Sequence, residues 1–349
     1  MAEQDGYGGF SPSVYGAPVA YVPPPVQTVM PAVPMMRPLS VGEILDRTFA
    51  TYRKRFWLFV GIGTVPAIVI VLSSALRFIF LAVTHRTDQI RPGASPDALA
   101  SAMGTMMLMQ AYFLPATLLF LVAYGISHAA TVDAVAKIAQ GVPVDVGIAY
   151  NAIRGRWLRW TGIVLRQFWS LAWPLLPGIV ILFAGIGLTK RIGAAGTAGM
   201  FLFAWIIMMA AIVLSVINFI RNSLAVVAGV QENLGVNAAM RRSKALVAGR
   251  KGRIFLALLM VYALQMVVGA VQLPLAIAAT ATRGGQHVAT QALLLVVQFV
   301  TVALIAPVAS IAFTFFYIDE RVRREGLDIE LMMQRSFAGI APATQGTEI

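Results

Sequence analysis

Residues 37–76 have the sequence RPLSVGEILDRTFATYRKRFWLFVGIGTVPAIVIVLSSAL, and this stretch decides the fold of the chain. Ser40 is followed three residues later by Glu43, which predicts a capping box at the start of a helix, because each side chain can pair with a backbone N–H there. Apolar residues then recur at helical spacing as far as Phe56, with charged residues on the opposite face. The stretch therefore begins with a predicted amphipathic helix.

A basic collar and an uncharged run follow this helix. Residues 56–76 hold no charged side chain and are long enough to cross the hydrocarbon core of a bilayer. The collar before them consists of Arg53, Lys54 and Arg55. We expect the amphipathic helix to lie along the membrane surface and the uncharged run to enter the bilayer.

The composition of the whole chain predicts a polytopic membrane protein. Hydrophobic residues make up 58% of the 349 and charged residues only 12%, whereas soluble domains carry roughly a quarter charged residues. The fold class that follows is an all-α bundle of six transmembrane helices. The predicted spans are 56–76, 103–127, 167–188, 200–220, 254–276 and 293–318. Pro174 and Pro177 are expected to kink the third, and a tight Gly-rich turn at 190–199 is expected before the fourth.

Short motifs suggest that the six spans form three repeats. The segment Pro38-Leu-Ser40-Val-Gly42 is similar to Pro143-Val-Asp145-Val-Gly147, and a third motif of this kind begins at Asn233-Leu-Gly235. Asn233 is the capping residue expected in the third motif. Each motif precedes two spans, which predicts three units of an interfacial helix and a transmembrane hairpin. The third unit has the strongest collar, which consists of Arg241, Arg242, Lys244, Arg250, Lys251 and Arg253.

The distribution of basic residues predicts the orientation. With six spans, 21 of the 27 Lys and Arg residues fall on the side of the two termini and 6 on the other side. The positive-inside rule then places both termini in the cytoplasm. Residues 1–36 contain no Lys or Arg and no apolar run, so they predict a disordered tail and no secretory signal. The membrane domain is expected at 37–333, with a flexible tail at 334–349.

The sequence contains no recognisable set of catalytic residues. The chain has no Cys, which excludes disulfides and thiolate metal sites, and its 3 His residues are not spaced as metal ligands. No phosphate-binding or hydrolase motif occurs. His128 near the end of the second span is interpreted as a packing or interfacial residue. The sequence therefore predicts a protein that is not an enzyme and needs no cofactor.

Two groups of residues remain as candidate binding sites. The collars can attract anionic lipid head groups, at about 1 kcal/mol per basic residue, or they can serve only to set the topology. The second group is polar and lies inside the spans, where it would form either interhelical hydrogen bonds or a solute path. Its members are Gln110, Asn218, Gln265, Gln272 and Gln298.

Three stretches carry a family resemblance: RPLSVGEILDRTFATYRKRF, RRSKALVAGRKGRIF and YIDERVRREGLDIEL. Together they resemble bacterial integral membrane proteins often labelled as the membrane domain of glycerophosphoryl diester phosphodiesterases, relatives of which occur fused to that catalytic domain. The resemblance covers about 37–333 and implies a multi-span helical fold in the bacterial inner membrane. It does not imply the phosphodiesterase activity, because this chain has no room for the separate catalytic barrel.

These observations predict a membrane module that binds lipids or a protein partner. The alternative is a component of a transporter or a lipid-translocating permease, in which kinked spans and intramembrane Gln and Asn residues line the path. Nucleic acid is not an expected partner in spite of the net charge of +12, because the basic residues collect at the ends of the spans.

Overall fold

The computed structural model of the protein describes residues 38–83, 96–249, 251–281, 284–326 and 333. The chain divides into two units, Met1–Met36 and Arg37–Ile349, and the first lies wholly outside the described residues. The tails expected at 1–36 and 334–349 therefore stay predictions.

The described residues form helices and no strand. This agrees with the predicted all-α class. In chain order, the helices of the described part are α1 (Val41–Lys54), α2 (Phe56–Val83), α3 (Pro96–Ala139), α4 (Val146–Arg154), α5 (Trp157–Ala172), a 3-10 turn (Trp173–Leu175), α6 (Leu176–Asn222), α7 (Ala225–Gln231), α8 (Val236–Val247), α9 (Lys251–Ala281) and α10 (Gly284–Glu325).

Six helical segments are long and apolar enough to cross a membrane, which confirms the predicted number of spans. The protein is thus a polytopic membrane bundle. The segments are Phe56–Phe80, Tyr112–Ala139, Trp157–Gly185, Ala195–Gln231, Lys251–Ala278 and Val288–Glu325.

The second hairpin differs from its prediction in one place. Its first span begins at Trp157, ten residues before the predicted start, because α5 continues the apolar pattern through its basic residues. The expected kink is confirmed, since Pro174 lies in the 3-10 turn and Pro177 in the first turn of α6. The Gly-rich turn predicted at 190–199 is confirmed. Gly193 departs from helical geometry there (φ 70°, ψ −179°), a conformation that glycine adopts without a steric penalty. Helix α6 therefore consists of two arms that meet at Gly193, and a Cβ added at Gly185 of the first arm would lie 3.3 Å from Met200 of the second.

Three short helices, α1, α4 and α8, begin in the same way. Each follows an N-cap residue with extended backbone, namely Ser40, Asp145 or Gly235. The Ser40 hydroxyl accepts from the Glu43 N–H at 3.2 Å and the Glu43 carboxylate from the Ser40 N–H at 2.7 Å, which confirms the capping box. Asp145 accepts from the Ile148 N–H at 2.7 Å.

The three helices also bury residues at the same positions relative to their N-caps. The residues four and eight positions after each N-cap point into the protein and are buried. They are Ile44 and Thr48 in α1, Ala149 and Ile153 in α4, and Ala239 and Ser243 in α8. Shared caps and a shared buried face support the predicted repeat of a short helix followed by a hairpin.

The predicted role of Asn233 as a cap is wrong, because this residue ends the preceding helix. Asn233 has a left-handed backbone (φ 54°), and the Leu234 N–H donates to the Gly229 carbonyl at 3.0 Å. This is the Schellman arrangement that closes α7. The cap of α8 is therefore Gly235, two residues further on, which has no side chain to cap with. Gly141 ends α3 in the same way, as its φ of 75° shows.

The buried core lies at one end of the bundle. We call this the basic end: it is where α1, α4, α7 and α8 meet the last turns of α3, α6 and α10. Val132, Ile163 and Val227 are fully buried there. In contrast, large apolar side chains further along the spans, such as Leu72 and Met266, are exposed and face the membrane. The short helices are therefore packed parts of the protein. Tyr52 at the end of α1 shows this, because its hydroxyl donates to the Leu304 carbonyl at 3.0 Å.

Small residues allow α2, α3 and α10 to approach closely. Ser127 and Ala130 of α3 and Ala309 of α10 are buried, and the Ser127 hydroxyl donates to the Ile62 carbonyl at 3.1 Å. Gly63 marks the tightest contact: a Cβ added there would lie 2.3 Å from the Ala303 carbonyl oxygen. No real side chain fits that distance, so α2 and α10 would have to separate.

Substitution of Gly63 by Ala tests this contact. We expect Gly63→Ala to lower the free energy of unfolding by roughly 1–3 kcal/mol, because the methyl group meets rigid backbone. Thermal unfolding of the purified protein in detergent measures the effect. Gly269→Ala in α9 is the matched control, since no atom lies within 4 Å of its added Cβ. Equal melting temperatures for the two variants would contradict the close packing of α2 and α10.

Candidate functional site

Two buried carboxylates at the end of α10 organise the basic end. The side chains of Asp319 and Glu320 have no exposed surface. The Leu39 N–H donates to Asp319 Oδ1 at 2.6 Å, and Arg253 lies 2.5 Å from Asp319 Oδ2 and 3.2 Å from Glu320 Oε1. Arg253 and Arg323 also donate to the Leu39 carbonyl. The residue before the cap of α1 and the first turn of α9 are thus tied to the end of α10.

Two ion pairs also form within α10. Arg323 lies 2.9 Å from Asp319, and Arg324 lies 3.6 Å from Glu320. These i, i+4 contacts follow from helical spacing alone. The contact of the same carboxylates with Arg253 is separated by 66 or more positions in the sequence, so no local pattern indicated it.

A second ionic cluster joins α8 to α10. Arg242 lies 2.7 Å from Glu232 and 2.5 Å from Glu325, and the Tyr317 hydroxyl donates to Glu232. Hydrogen bonds to Glu325 and Glu232, against the cost of partial burial, raise the pKa of the Arg242 guanidinium. The Arg242 side chain therefore stabilises the contact between α8 and α10 and is not available to a ligand.

The predicted collars accordingly divide into two groups. Arg242 and Arg253 are committed to carboxylates of the protein. The remaining collar residues with described side chains are exposed and make no ion pair within the described residues, and Arg250 lies outside them. This exposed group consists of Arg53, Lys54 and Arg55 at the end of α1, Arg241 and Lys244 on α8, and Lys251 at the start of α9.

Exposed aromatic rings accompany the first of these collars. Trp57, two residues after Arg55, is 81% exposed, and Phe49 of α1 is 47% exposed. Tryptophan concentrates at the boundary between hydrocarbon and water, with its ring among the lipid head groups. Exposed basic residues next to exposed aromatic rings are typical of the ends of membrane spans.

A groove opens where α5, α6 and α8 meet. Its volume is about 490 Å³, within the range of ligand sites. We call it the basic groove, and it is lined by Arg166, Trp169, Ser170 and Trp173 of α5 with the turn that follows it, Asn218 of α6, and Asn237, Met240, Arg241 and Lys244 of α8. Three lining residues are basic and none is acidic.

The spacing of the lining residues indicates two helix faces in the sequence, but not the groove that they form. Those from the α5 segment recur at intervals of three, one and three residues, and those of α8 recur at the same intervals. Each set therefore occupies one face of a helix. No local pattern shows that the two faces meet, because 71 positions separate their first members, Arg166 and Asn237.

Two of the predicted intramembrane polar side chains form hydrogen bonds between helices in the described part of the chain. Asn218 donates to the Ser170 carbonyl at 3.2 Å and Gln272 to the Thr301 hydroxyl at 2.9 Å. Gln265 is exposed on α9 and Gln298 is partly exposed on α10, while the side chain of Gln110 lies outside the described part. The two hydrogen bonds are the helix-packing contacts that formed the simpler interpretation of this group.

His128 is buried between helices. Its Nδ1 lies 2.5 Å from the Ser310 hydroxyl oxygen of α10, and its ring packs against Tyr124 and Phe313. These contacts agree with the packing role expected from the sequence. Among the residues that the structure describes, no group of three or more His, Asp or Glu side chains could hold a metal ion.

Comparison with known proteins adds no relative: no protein-family model, curated protein or solved structure matches the chain. The resemblance to the membrane domain of glycerophosphoryl diester phosphodiesterases therefore stays a prediction from its three sequence stretches.

Replacement of Arg253 by Gln tests the division of the collars. We expect Arg253→Gln to destabilise the protein by roughly 3 kcal/mol, near the lower end for a broken buried pair, because Asp319 keeps Arg323 and the Leu39 N–H. Lys251→Gln, two residues away and exposed, is the matched control and should change stability by no more than about 0.5 kcal/mol. Thermal unfolding in detergent measures both. If Lys251→Gln were as damaging as Arg253→Gln, the proposed division would be wrong.

Proposed function

We propose that the protein is a non-catalytic module of the bacterial inner membrane that binds anionic lipids at its basic end, with both termini in the cytoplasm. The observation that carries the proposal is the group of exposed Lys and Arg residues without ion pairs within the described residues, set beside exposed aromatic rings. Each such residue contributes about 1 kcal/mol of attraction to an anionic membrane surface.

Several features support this assignment over a role in topology alone. A collar that only sets the orientation needs charge and no particular neighbours. In the sequence, Arg53 and Lys54 lie between Phe49 and Trp57, whose rings are exposed. Basic residues next to exposed aromatic residues are typical of helices that bind a membrane surface. The third collar has Arg241 and Lys244 on one face of α8, opposite the exposed Trp169 of α5.

Transport is less well supported, because two of the polar side chains expected to line a path, Asn218 and Gln272, are engaged in hydrogen bonds between helices. Neither the basic groove nor the groove beside Phe49 and Arg53 is lined by Gln265, Gln272 or Gln298. The resemblance to a membrane domain that occurs fused to a catalytic domain also agrees with a module that supplies membrane contacts. In the alternative form of this proposal, the surface of exposed basic and aromatic residues binds a protein partner instead of lipids.

Purification in native lipid tests the proposed function. Discs cut from the membrane with a polymer retain the lipids around the protein, and mass spectrometry counts them. We expect anionic lipids to be enriched over the bulk membrane, and Arg53→Gln with Lys54→Gln to reduce the enrichment several-fold. The matched control removes two exposed charges from the other predicted side, Arg77→Gln with Arg191→Gln, and should leave it unchanged.

Discs with the lipid composition of the bulk membrane would contradict lipid binding. A protein present in stoichiometric amount in those same discs would identify the module as one that binds a protein partner instead.

A further inference from the structure

The basic groove presents three cations whose charge is not neutralised by the protein. Arg166, Arg241 and Lys244 are exposed and make no ion pair in the part of the chain that the structure describes. Arg242, the neighbour of Arg241 in sequence, points the other way and is held by two glutamates. Helix α8 therefore separates a structural face from a face whose positive charge is available to a ligand.

Polar groups on the α5–α6 side complete the site. The Ser170 hydroxyl accepts from Asn222 Nδ2 at 2.9 Å, which leaves its own proton to donate elsewhere. Asn218, which also lines the groove, is fixed by its bond to the Ser170 carbonyl. The Ser170 hydroxyl is thus a donor that the α5–α6 wall presents to an anion in the groove.

These groups suit a phosphate. Guanidinium and ammonium groups with a hydroxyl donor are the combination that binds phosphate oxygens through charge-assisted hydrogen bonds. A carboxylate in the lining would repel such an anion, and the groove has none. Arg241 and Lys244 line the groove from α8 and Arg166 lines it from α5, so cations of both helices face the same space.

The surroundings of the groove indicate that the phosphate belongs to a lipid. Trp169 and Trp173 are 54% and 44% exposed, and they lie in a segment that is long and apolar enough to cross the membrane. Further along the same segment, Leu176 and Val180 are also exposed. A ligand with its phosphate in the groove therefore has a continuous apolar surface beside it, which acyl chains would cover.

The geometry points to a specific site for one anionic phospholipid, with its phosphate between Arg166, Arg241 and Lys244 and its acyl chains along the exposed face that follows Trp173. This inference rests on the proposed lipid-binding function and narrows it from attraction by several collars to one discrete site. Lipids at the first collar exchange with the bulk, whereas the lipid in the groove is held by two helices.

Native mass spectrometry of the full chain in detergent tests this site. Phosphatidylglycerol is titrated into delipidated protein, and the dissociation constant of the first bound lipid is measured. We expect Arg241→Gln with Lys244→Gln to weaken that first binding by at least about tenfold. Arg53→Gln with Lys54→Gln removes the same charge from the first collar and should weaken the first binding less than the α8 variant does. The neutral control is Arg77→Gln with Arg191→Gln, two exposed charges of the other predicted side, which should change the dissociation constant by less than about twofold. Arg166→Gln, on the opposite helix, is a second test and should also weaken binding.

Each result bears on a different part of the inference. Equal weakening by the α8 and α1 variants would overturn the discrete site and leave lipid binding by the collars intact. No preference for phosphatidylglycerol over phosphatidylcholine in the wild type would overturn the inference. If discs from native membrane also show no enrichment, the proposed function fails with it. Titration with inorganic phosphate distinguishes the source: binding in the groove without lipid would contradict assignment to a lipid head group.

Discussion

The structure depends on the pairing of two carboxylates that have no access to water. Asp319 and Glu320 end the last span, and an unpaired charge buried there would cost several kcal/mol. Arg253 from the start of α9 and the backbone of Leu39 before α1 supply their partners. These groups come from the first and third repeats. One cluster therefore joins the segment before α1, where the chain enters the bundle, to the end of α10, where it leaves. The tight contact of α2 with α10 at Gly63 then continues the same association along the spans.

This cluster also explains why residues of one collar differ in role. The orientation of a span depends on charge alone, so the sequence predicts the same role for every basic residue of a collar. In the fold, Arg253 and Arg242 face the interior of the basic end, whereas Arg241, Lys244 and Lys251 face outward. The second repeat is arranged so that α5 lies opposite the outward face of α8. A surface with uncompensated positive charge is therefore a consequence of how the repeats pack.

Local features were predictable from the sequence, and features that join distant segments were not. The capping box at Ser40, the six spans and the i, i+4 pairs of α10 depend on neighbours in the chain, and all are present. The cap of the third short helix is predicted two residues too early. Asn233 and Gly235 each suit a helix end, and only the closure of α7 decides between them. The turn at 190–199 is another local feature, and Gly193 with its positive φ forms it. The partner of Arg253 and the basic groove both need the tertiary fold.

A double-mutant cycle on Arg253 and Asp319 tests the central interaction most directly. The free energy of unfolding is measured for Arg253→Gln, Asp319→Asn, the double variant and the wild type under the same conditions in detergent. Direct pairing predicts that the double variant loses less stability than the sum of the single losses, with a coupling of about 1–3 kcal/mol. Strictly additive losses would contradict the account, because they would mean that the two charges do not interact and that the ends of the bundle are joined in another way.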